Sequence, residues 1–321
     1  MADRAVELAR GLEAWLAEHG SGGARVELGA RATVGFSQET WFARVSNGTG
    51  EHDVVLRLPT PASGERAIRA QRAALQTVAG RVPAPALLWH DDGAEHPLGR
   101  PFLVMERVHG DVPVGWHELP EPQRSALARE AVAVLAQLHA VAPGELGEGD
   151  RGAGPTELAY YRERLARLAP LPEVLEVAVW WLERHAPAAP GRRVLAHGDF
   201  RMGNLVVGEG HVRGILDWEM AGVGDPVADL VWCFVAVFEP AGVDEDALVA
   251  SYEHHSGSSV DPERLHWHRV LAYVRLAYYA LAGTAAFDAG RSHDLRLAAL
   301  RLQLPVYLDR LAATLAGEPV T

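Results

Sequence analysis

The stretch VLAHGDFRMGNLVVGEGHVRGILDWEMAGVGDPVADLVW, from Val194 to Trp232, sets Asp199, Asn204, Asp217, Glu219, Asp225 and Asp229 among glycines and short apolar runs. The runs VLAH, NLVV and VRGILDW read as strands, which are ordinarily buried, and an uncompensated carboxylate is expensive to bury. Carboxylate and amide oxygens are the ligands preferred by a hard cation such as magnesium. A bound divalent ion is therefore the expected offsetting charge, and the strands are the rigid frame that would hold its ligands. Glycines at 198 and 203 permit tight backbone paths around the acidic groups.

His197-Gly198-Asp199 is followed, five residues after the aspartate, by Asn204; then come a glycine turn, a short strand and Asp217-Trp218-Glu219. The protein-kinase catalytic loop has the same grammar: H-R-D, an asparagine five residues past the aspartate, and a later metal site led by an aspartate. In that chemistry one carboxylate orients the acceptor hydroxyl and takes its proton, and oxygen ligands hold magnesium. Asp199 fits the first role; Asn204 and Asp217 fit the second. Arg201 lies two residues past Asp199, where protein kinases place a lysine. It reads two ways, as a contact to the γ-phosphate or as the partner of a neighbouring acid.

The two-part motif resembles that of the aminoglycoside phosphotransferase and choline kinase-like family, where H-G-D-x-x-x-x-N precedes an L-D-W-E type segment. It is similar above all to the branch fused to some acyl-CoA dehydrogenases and to stand-alone bacterial relatives. VPAPALLWH, FLVMERVHG and LAQLHAV fall in the order this family shows. The resemblance implies an α+β, bilobal protein kinase-like fold, with a small antiparallel-sheet N-lobe over residues 1–106 and a larger helical C-lobe over 107–321. It implies ATP and Mg2+ as cofactors and transfer of the γ-phosphate to a small-molecule hydroxyl. Arg57 in VVLRLP stands where the family carries its phosphate-binding cation, and arginine binds phosphate bidentately. The acidic helix partner of that cation should fall near Gln71, which cannot neutralise it. Glu65 is the sole carboxylate between Ala62 and Val78, so either Glu65 substitutes or the helix pair is absent. Ser37 in TVGFSQET reads two ways, as a phosphate contact or as part of a plain hairpin turn, and the resemblance sets backbone groups of Glu106 and Val108 to meet adenine. Asp225 and Asp229 are expected to brace the catalytic loop by accepting backbone hydrogen bonds, with His197 a structural member of that loop and His139 a core histidine behind it.

The surrounding elements follow from periodicity. MADRAVELARGLEAWLAEHG is an amphipathic helix pattern with no apolar core of the secretory type. ARATVGFSQETWFARV reads as strand–loop–strand, HDVVLRLP as a strand stopped by Pro59, and ASGERAIRAQRAALQTV as a helix with Ser63 as its candidate N-cap. APALLWHDDG and RPFLVMERVHG are two more strands. After Gly110 the pattern turns helical: Leu127, Ala131, Val134, Leu135 and Leu138 recur at i, i+4, i+7, i+8 and i+11. The last hundred residues are nearly all helix-like.

Composition narrows the function. The 321 residues carry a net charge of −12, which disfavours a nucleic-acid partner. All 30 basic residues are arginine, a sign of genomic bias. A single cysteine, Cys233, excludes an internal disulfide framework or a multi-cysteine zinc site and accords with a reducing cytoplasm. No apolar run of membrane-spanning length is evident, so no membrane partner is expected. GVGDPV lacks the βαβ setting of a dinucleotide site, and His254-His255 and His266-Trp267-His268 lack partner ligands at zinc spacing. Walls for an acceptor could come from Tyr160, Tyr161, Trp232, Trp267, Tyr278 and Tyr279. An aminoglycoside would call on the acids of FEPAGVDEDAL, a hydroxyacyl-CoA on Arg264, Arg269, Arg275, Arg291 and Arg296, and both charges are present. A nucleotide-binding regulatory module with little turnover is the alternative: the missing helix glutamate speaks for it, the complete set of Asp199, Asn204 and Asp217 against it.

Overall fold

The computed structural model describes residues 2–32, 38–48, 50–60, 64–113, 119–144, 146–147, 155–187, 192–235 and 243–317. In chain order the elements are α1 (Ala2–Glu18), β1 (Arg25–Arg31), β2 (Gln38–Asn47), β3 (Gly50–Pro59), α2 (Gly64–Val78), β4 (Leu87–Asp91), β5 (Phe102–Glu106), α3 (Glu121–Ala140), α4 (Pro155–Leu165), α5 (Glu173–Arg184), β6 (Val194–Ala196), β7 (Leu205–Gly208), β8 (His211–Ile215), β9 (Gly222–Gly224), α6 (Pro226–Cys233), α7 (Glu245–Ser256), α8 (Pro262–Asp288), α9 (Leu295–Ala299) and α10 (Leu304–Ala316). They form two compact units: Met1–Val114 with Gly203–Ala221, and Gly115–Met202 with Gly222–Thr321. This division differs from a single cut after Glu106. The chain returns to the first unit because Asp111 and Val207 exchange backbone hydrogen bonds of 2.8 Å in both directions, and Ile215 N–H donates to Pro83 O at 2.8 Å.

The first unit is built on an antiparallel sheet of order β1-β2-β3-β5-β4. Alternation decides its core face. Trp41, Ala43 and Val45 of β2 and Val54, Leu56 and Leu58 of β3 are buried every second residue, and Trp41 lies opposite Leu56, Ala43 opposite Val54. Helix α1 lays Leu8, Leu12, Trp15 and Leu16 into the same core. Each such side chain contributes about 1.5–3 kcal/mol by leaving water. Helix α2 buries Ile68, Gln71, Ala74, Leu75 and Val78; its proposed cap, Ser63, lies outside the described residues. The hairpin β7–β8 turns through Glu209 (φ 54°) and Gly210 (φ 81°), the pair of positive φ angles that matches the right-handed twist of the flanking strands.

The second unit is helical. The face of α3 read from the sequence is the buried one: Leu127, Ala131, Val134, Leu135 and Leu138. Aspartate caps recur, each accepting from a backbone N–H of the first turn: Asp225 on α6, Asp244 on α7, Asp261 on α8 and Asp294 on α9. In α6 and α8 proline follows the cap at a position where its missing N–H costs nothing. Helix α8 spans 27 residues and, by length and composition alone, is apolar enough to cross a membrane. It is packed instead against α4, α5, α6, α9 and α10. It buries Trp267, Val270, Leu271, Tyr273 and Val274, and carries Arg275 in its middle. GVGDPV supplies β9, paired with β6, and then the cap of α6.

Candidate active site

In the first unit the site residues gather at the ends of β3 and β8. Arg57, on β3, has only 12% of its side chain exposed and donates from Nη2 to Asp217 Oδ1 at 3.0 Å. Asp217 follows β8 in the left-handed conformation, φ 67° and ψ 56°, which an aspartate adopts at a cost and which concentrates at functional sites. Trp218 fixes this corner from below: it is fully buried and donates from Nε1 to Ile215 O at 2.8 Å. The Asn204 carbonyl accepts from Leu216 N–H at 2.7 Å, so the buried Asn204 is tied to the strand end that carries Asp217. Glu219, two residues on, accepts from Gln38 Nε2 at 3.0 Å. Two buried polar atoms beside this cluster, Arg57 Nε and Gln38 Oε1, have no hydrogen-bond partner among the described residues.

Neither partner foreseen for Arg57 takes that role. Glu65 accepts from Arg69 one turn along the exposed side of α2, at 2.9 Å. Gln71 is buried with its Nε2 3.9 Å from Met105 Sδ, and its Oε1 lacks a hydrogen-bond partner among the described residues. The reason is geometric: the cation pairs with the carboxylate at the end of the neighbouring hairpin, a residue 160 positions away, and not with its own helix. Glu106 N–H donates to Ala86 O and Arg107 N–H to Asp53 O, both at 2.9 Å, so the Glu106 N–H is already committed to the backbone. Val108 packs its side chain against Gly214, where an added Cβ would lie 2.9 Å from a Val108 methyl. Ser37 lies outside the described residues.

In the second unit Asp199 is the centre. Gly198, at φ 77°, makes the turn that presents it. The loop is held from beneath by Asp229, which accepts from His197 N–H at 2.5 Å and from Gly198 N–H at 2.8 Å. His139 stands behind, 3.4 Å from Asp229 through Nε2 and 2.7 Å from Tyr252 Oη through Nδ1. His197 is fully buried, and its Nδ1 accepts from Asp199 N–H at 3.2 Å. Asp225 departs from its expected role: it caps α6 through Val227 N–H and pairs with Arg264 at 2.8 Å and His268 at 3.3 Å, so among the described residues it is Asp229 that braces the loop.

The Asp199 carboxylate keeps 16% of its side-chain surface exposed. Oδ1 accepts from Trp232 Nε1 at 2.8 Å; Oδ2 accepts from Arg201 Nε at 3.1 Å. Arg201 is therefore paired with the neighbouring acid, one of its two foreseen readings. Burial disfavours the ionised carboxylate, but Arg201, Arg275, His197 and the Trp232 N–H together outweigh it and hold the Asp199 carboxyl below its ordinary value. Trp232 and Arg275 were foreseen as candidate acceptor-site residues, but nothing in the sequence pointed to their contact with Asp199. Of the other residues foreseen as acceptor walls, Tyr161 is fully buried, its hydroxyl 3.3 Å from that of Tyr279, and Trp267 is buried core. The charged candidates are largely spent: Asp244 caps α7, Glu245 pairs with Arg269, Arg264 with Asp225 and Arg296 with Asp294.

Among the described residues no group of three or more His, Cys, Asp or Glu side chains could hold a metal. Magnesium usually takes one or two protein oxygens and completes its shell with phosphate and water. Asp217 and Asn204 offer such oxygens, and Arg57 offers an anion-binding fork beside them.

An antiparallel five-stranded unit, a helical unit and an H-G-D-x-x-x-x-N…D-W-E motif together define an α+β kinase-like phosphotransferase fold. The chain belongs to the phosphotransferase enzyme family, whose model matches residues 29–273. It is 31% identical over 200 residues to acyl-CoA dehydrogenase family member 11 of Gallus gallus, an alignment covering 58% of this chain and 25% of that protein. The chain thus spans about a quarter of that relative's length. A Ralstonia eutropha JMP134 structure classed as an aminoglycoside phosphotransferase superposes with a TM-score of 0.77 at 18% identity, covering 97% of this chain and 99% of the other. The GDP and kanamycin complex of APH(2")-IIIa superposes with a TM-score of 0.61 at 17% identity, covering 91% and 93%.

Proposed function

We propose that the protein is a magnesium- and ATP-dependent kinase that phosphorylates a hydroxyl of a small molecule. The observation that carries this is the Arg57–Asp217 pair, with Asp217 held in a left-handed backbone conformation and Asn204 tied to the same strand end. Strain of this kind is retained where a side chain has to be aimed. A magnesium ion held by Asp217 and Asn204 would offset charge on the nucleotide phosphates. Arg57 binds and orients the phosphates. The adenine is met by the Glu106 carbonyl and by the Val108 backbone, since the Glu106 N–H is spent on Ala86. Asp199 orients the acceptor hydroxyl and takes its proton as the acceptor oxygen bonds to the γ-phosphorus and the bond to the β-phosphate oxygen breaks. The GDP and kanamycin bound by one structural neighbour support a nucleotide and a small hydroxyl compound as the pair of substrates. The regulatory alternative loses its main support, because Arg57 has a carboxylate partner after all.

The test is ATP consumption across a library of hydroxyl compounds, with magnesium and with chelator, for the native protein and for Asp199→Ala. Magnesium-dependent phosphorylation of at least one member, abolished in the variant, is expected. Magnesium-independent turnover, or turnover untouched by Asp199→Ala, would reject the reading.

A further inference from the structure

Arg275 sits at mid-length on α8 with only 6% of its side chain exposed. A buried arginine needs compensation, and the loop that carries Asp199 and the Trp232 ring of α6 supply part of it. Its guanidinium carbon lies 3.4 Å from the Trp232 ring centroid, a stacked cation–π contact. Its Nη2 donates to Gly198 O at 2.8 Å and lies 3.5 Å from Asp199 Oδ1. The same Oδ1 accepts from Trp232 Nε1. One oxygen of Asp199 is thus held by two buried groups that also hold each other. The other oxygen, Oδ2, is covered by Arg201, whose side chain is 41% exposed.

We infer that Arg275 is a positioning residue for Asp199: stacked on Trp232, it anchors Oδ1 and the Gly198 turn, so that Oδ2 is the oxygen an acceptor hydroxyl meets. This rests on the phosphotransferase reading for the role of Asp199, but the anchoring does not depend on turnover. Among the described residues, the ionisable groups that face Asp199 include Arg275 from α8, and Arg201 and His197 from the loop itself, with Asp229 of α6 beneath. Removing Arg275 takes away a buried cation that favours the carboxylate. Exposed Arg201 is better screened and less able to replace it.

The experiment is an NMR titration of 13C-labelled aspartate carboxyls in the full chain, with Asp199→Asn assigning the signal. Arg275→Gln should raise the Asp199 midpoint by about one pH unit, a tenfold change in its proton affinity. Arg275→Lys, which keeps the charge, should restore most of the difference. Trp232→Phe keeps the ring and removes the N–H, and should raise the midpoint in the same direction. In magnesium-ATP hydrolysis the acid limb should move with the midpoint and kcat should fall, with KM for ATP unchanged. A folded Arg275→Gln protein whose Asp199 midpoint does not move would overturn the inference. If that variant does not fold, a Trp232→Phe protein with an unmoved Asp199 midpoint and hydrolysis kinetics like the native protein would overturn it equally. Failure of all phosphoryl transfer would instead count against the proposed function, because the titration needs no acceptor.

Discussion

Arg57 shows how one contact redirects a mechanism. Its partner is Asp217, which is also the proposed metal ligand, so phosphate binding and metal binding draw on a single carboxylate. Asp217→Asn removes the formal charge but keeps a side chain that tolerates the left-handed conformation. Magnesium-dependent ATP binding measured by calorimetry should therefore weaken at least tenfold while the fold survives; equal binding would remove Asp217 from the site. Glu65→Gln should leave both stability and turnover unchanged, since Glu65 serves an exposed pair with Arg69. Gln71→Glu would bury a carboxylate beside Met105, and should lower unfolding free energy by about 1–3 kcal/mol without raising activity. A gain in ATP turnover from Gln71→Glu would show that Arg57 swings to α2 during the reaction.

At the scale of elements, the catalytic loop is a short turn between β6 and a single helical turn, and it has too little backbone pairing of its own to be rigid. Asp229, on α6, provides the rigidity. Burial opposes its ionisation, but the His139 hydrogen bond and charge, with His197, hold its carboxyl below the ordinary value. Asp225 and Asp199 are held low in the same sense. A carboxyl with a depressed folded pKa contributes stability above its unfolded value of about 3.9, and that contribution is lost as pH falls through the folded value. Melting temperature should accordingly be level through neutral pH and fall steeply below about pH 4. Asp229→Asn, which keeps one acceptor oxygen, should cost about 1.5–3 kcal/mol and flatten that acid slope. An acid slope identical to that of the native protein would show that Asp229 does not carry it.

For the whole molecule, the two units divide the proposed labour: Arg57, Asn204 and Asp217 fall in the first, Asp199, Arg201, Trp232 and Arg275 in the second. A ligand that binds only the folded chain stabilises it by mass action, about 2.7 kcal/mol at a hundred times its Kd. Magnesium-ATP should raise the melting temperature of the native protein and raise it markedly less for Asp217→Asn. Cys233 reports on the second unit: it is fully buried on α6, and burial with nearby Asp229 pushes its thiol well above the ordinary value. A thiol reagent should leave it unmodified in the native state and label it once under denaturant. Rapid native labelling would mean that α6 opens, and with it the brace on the catalytic loop.

Much of this was legible in the linear chain. Periodicity alone placed the buried face of α3, the strands flanking Arg57 and the helical second half, because each depends on residues a few positions apart. The motif brought Asp199, Asn204 and Asp217 forward as a set, because the chemistry dictates residue type and short spacing together. What remained hidden depends on distance in sequence. That Arg57 pairs with Asp217 across 160 positions, that residues 203–221 return to the first unit, and that Arg275 and Trp232 close on Asp199 from two different helices are all consequences of packing. A buried charge takes its partner from whatever element the fold sets beside it, and only the tertiary structure decides which element that is.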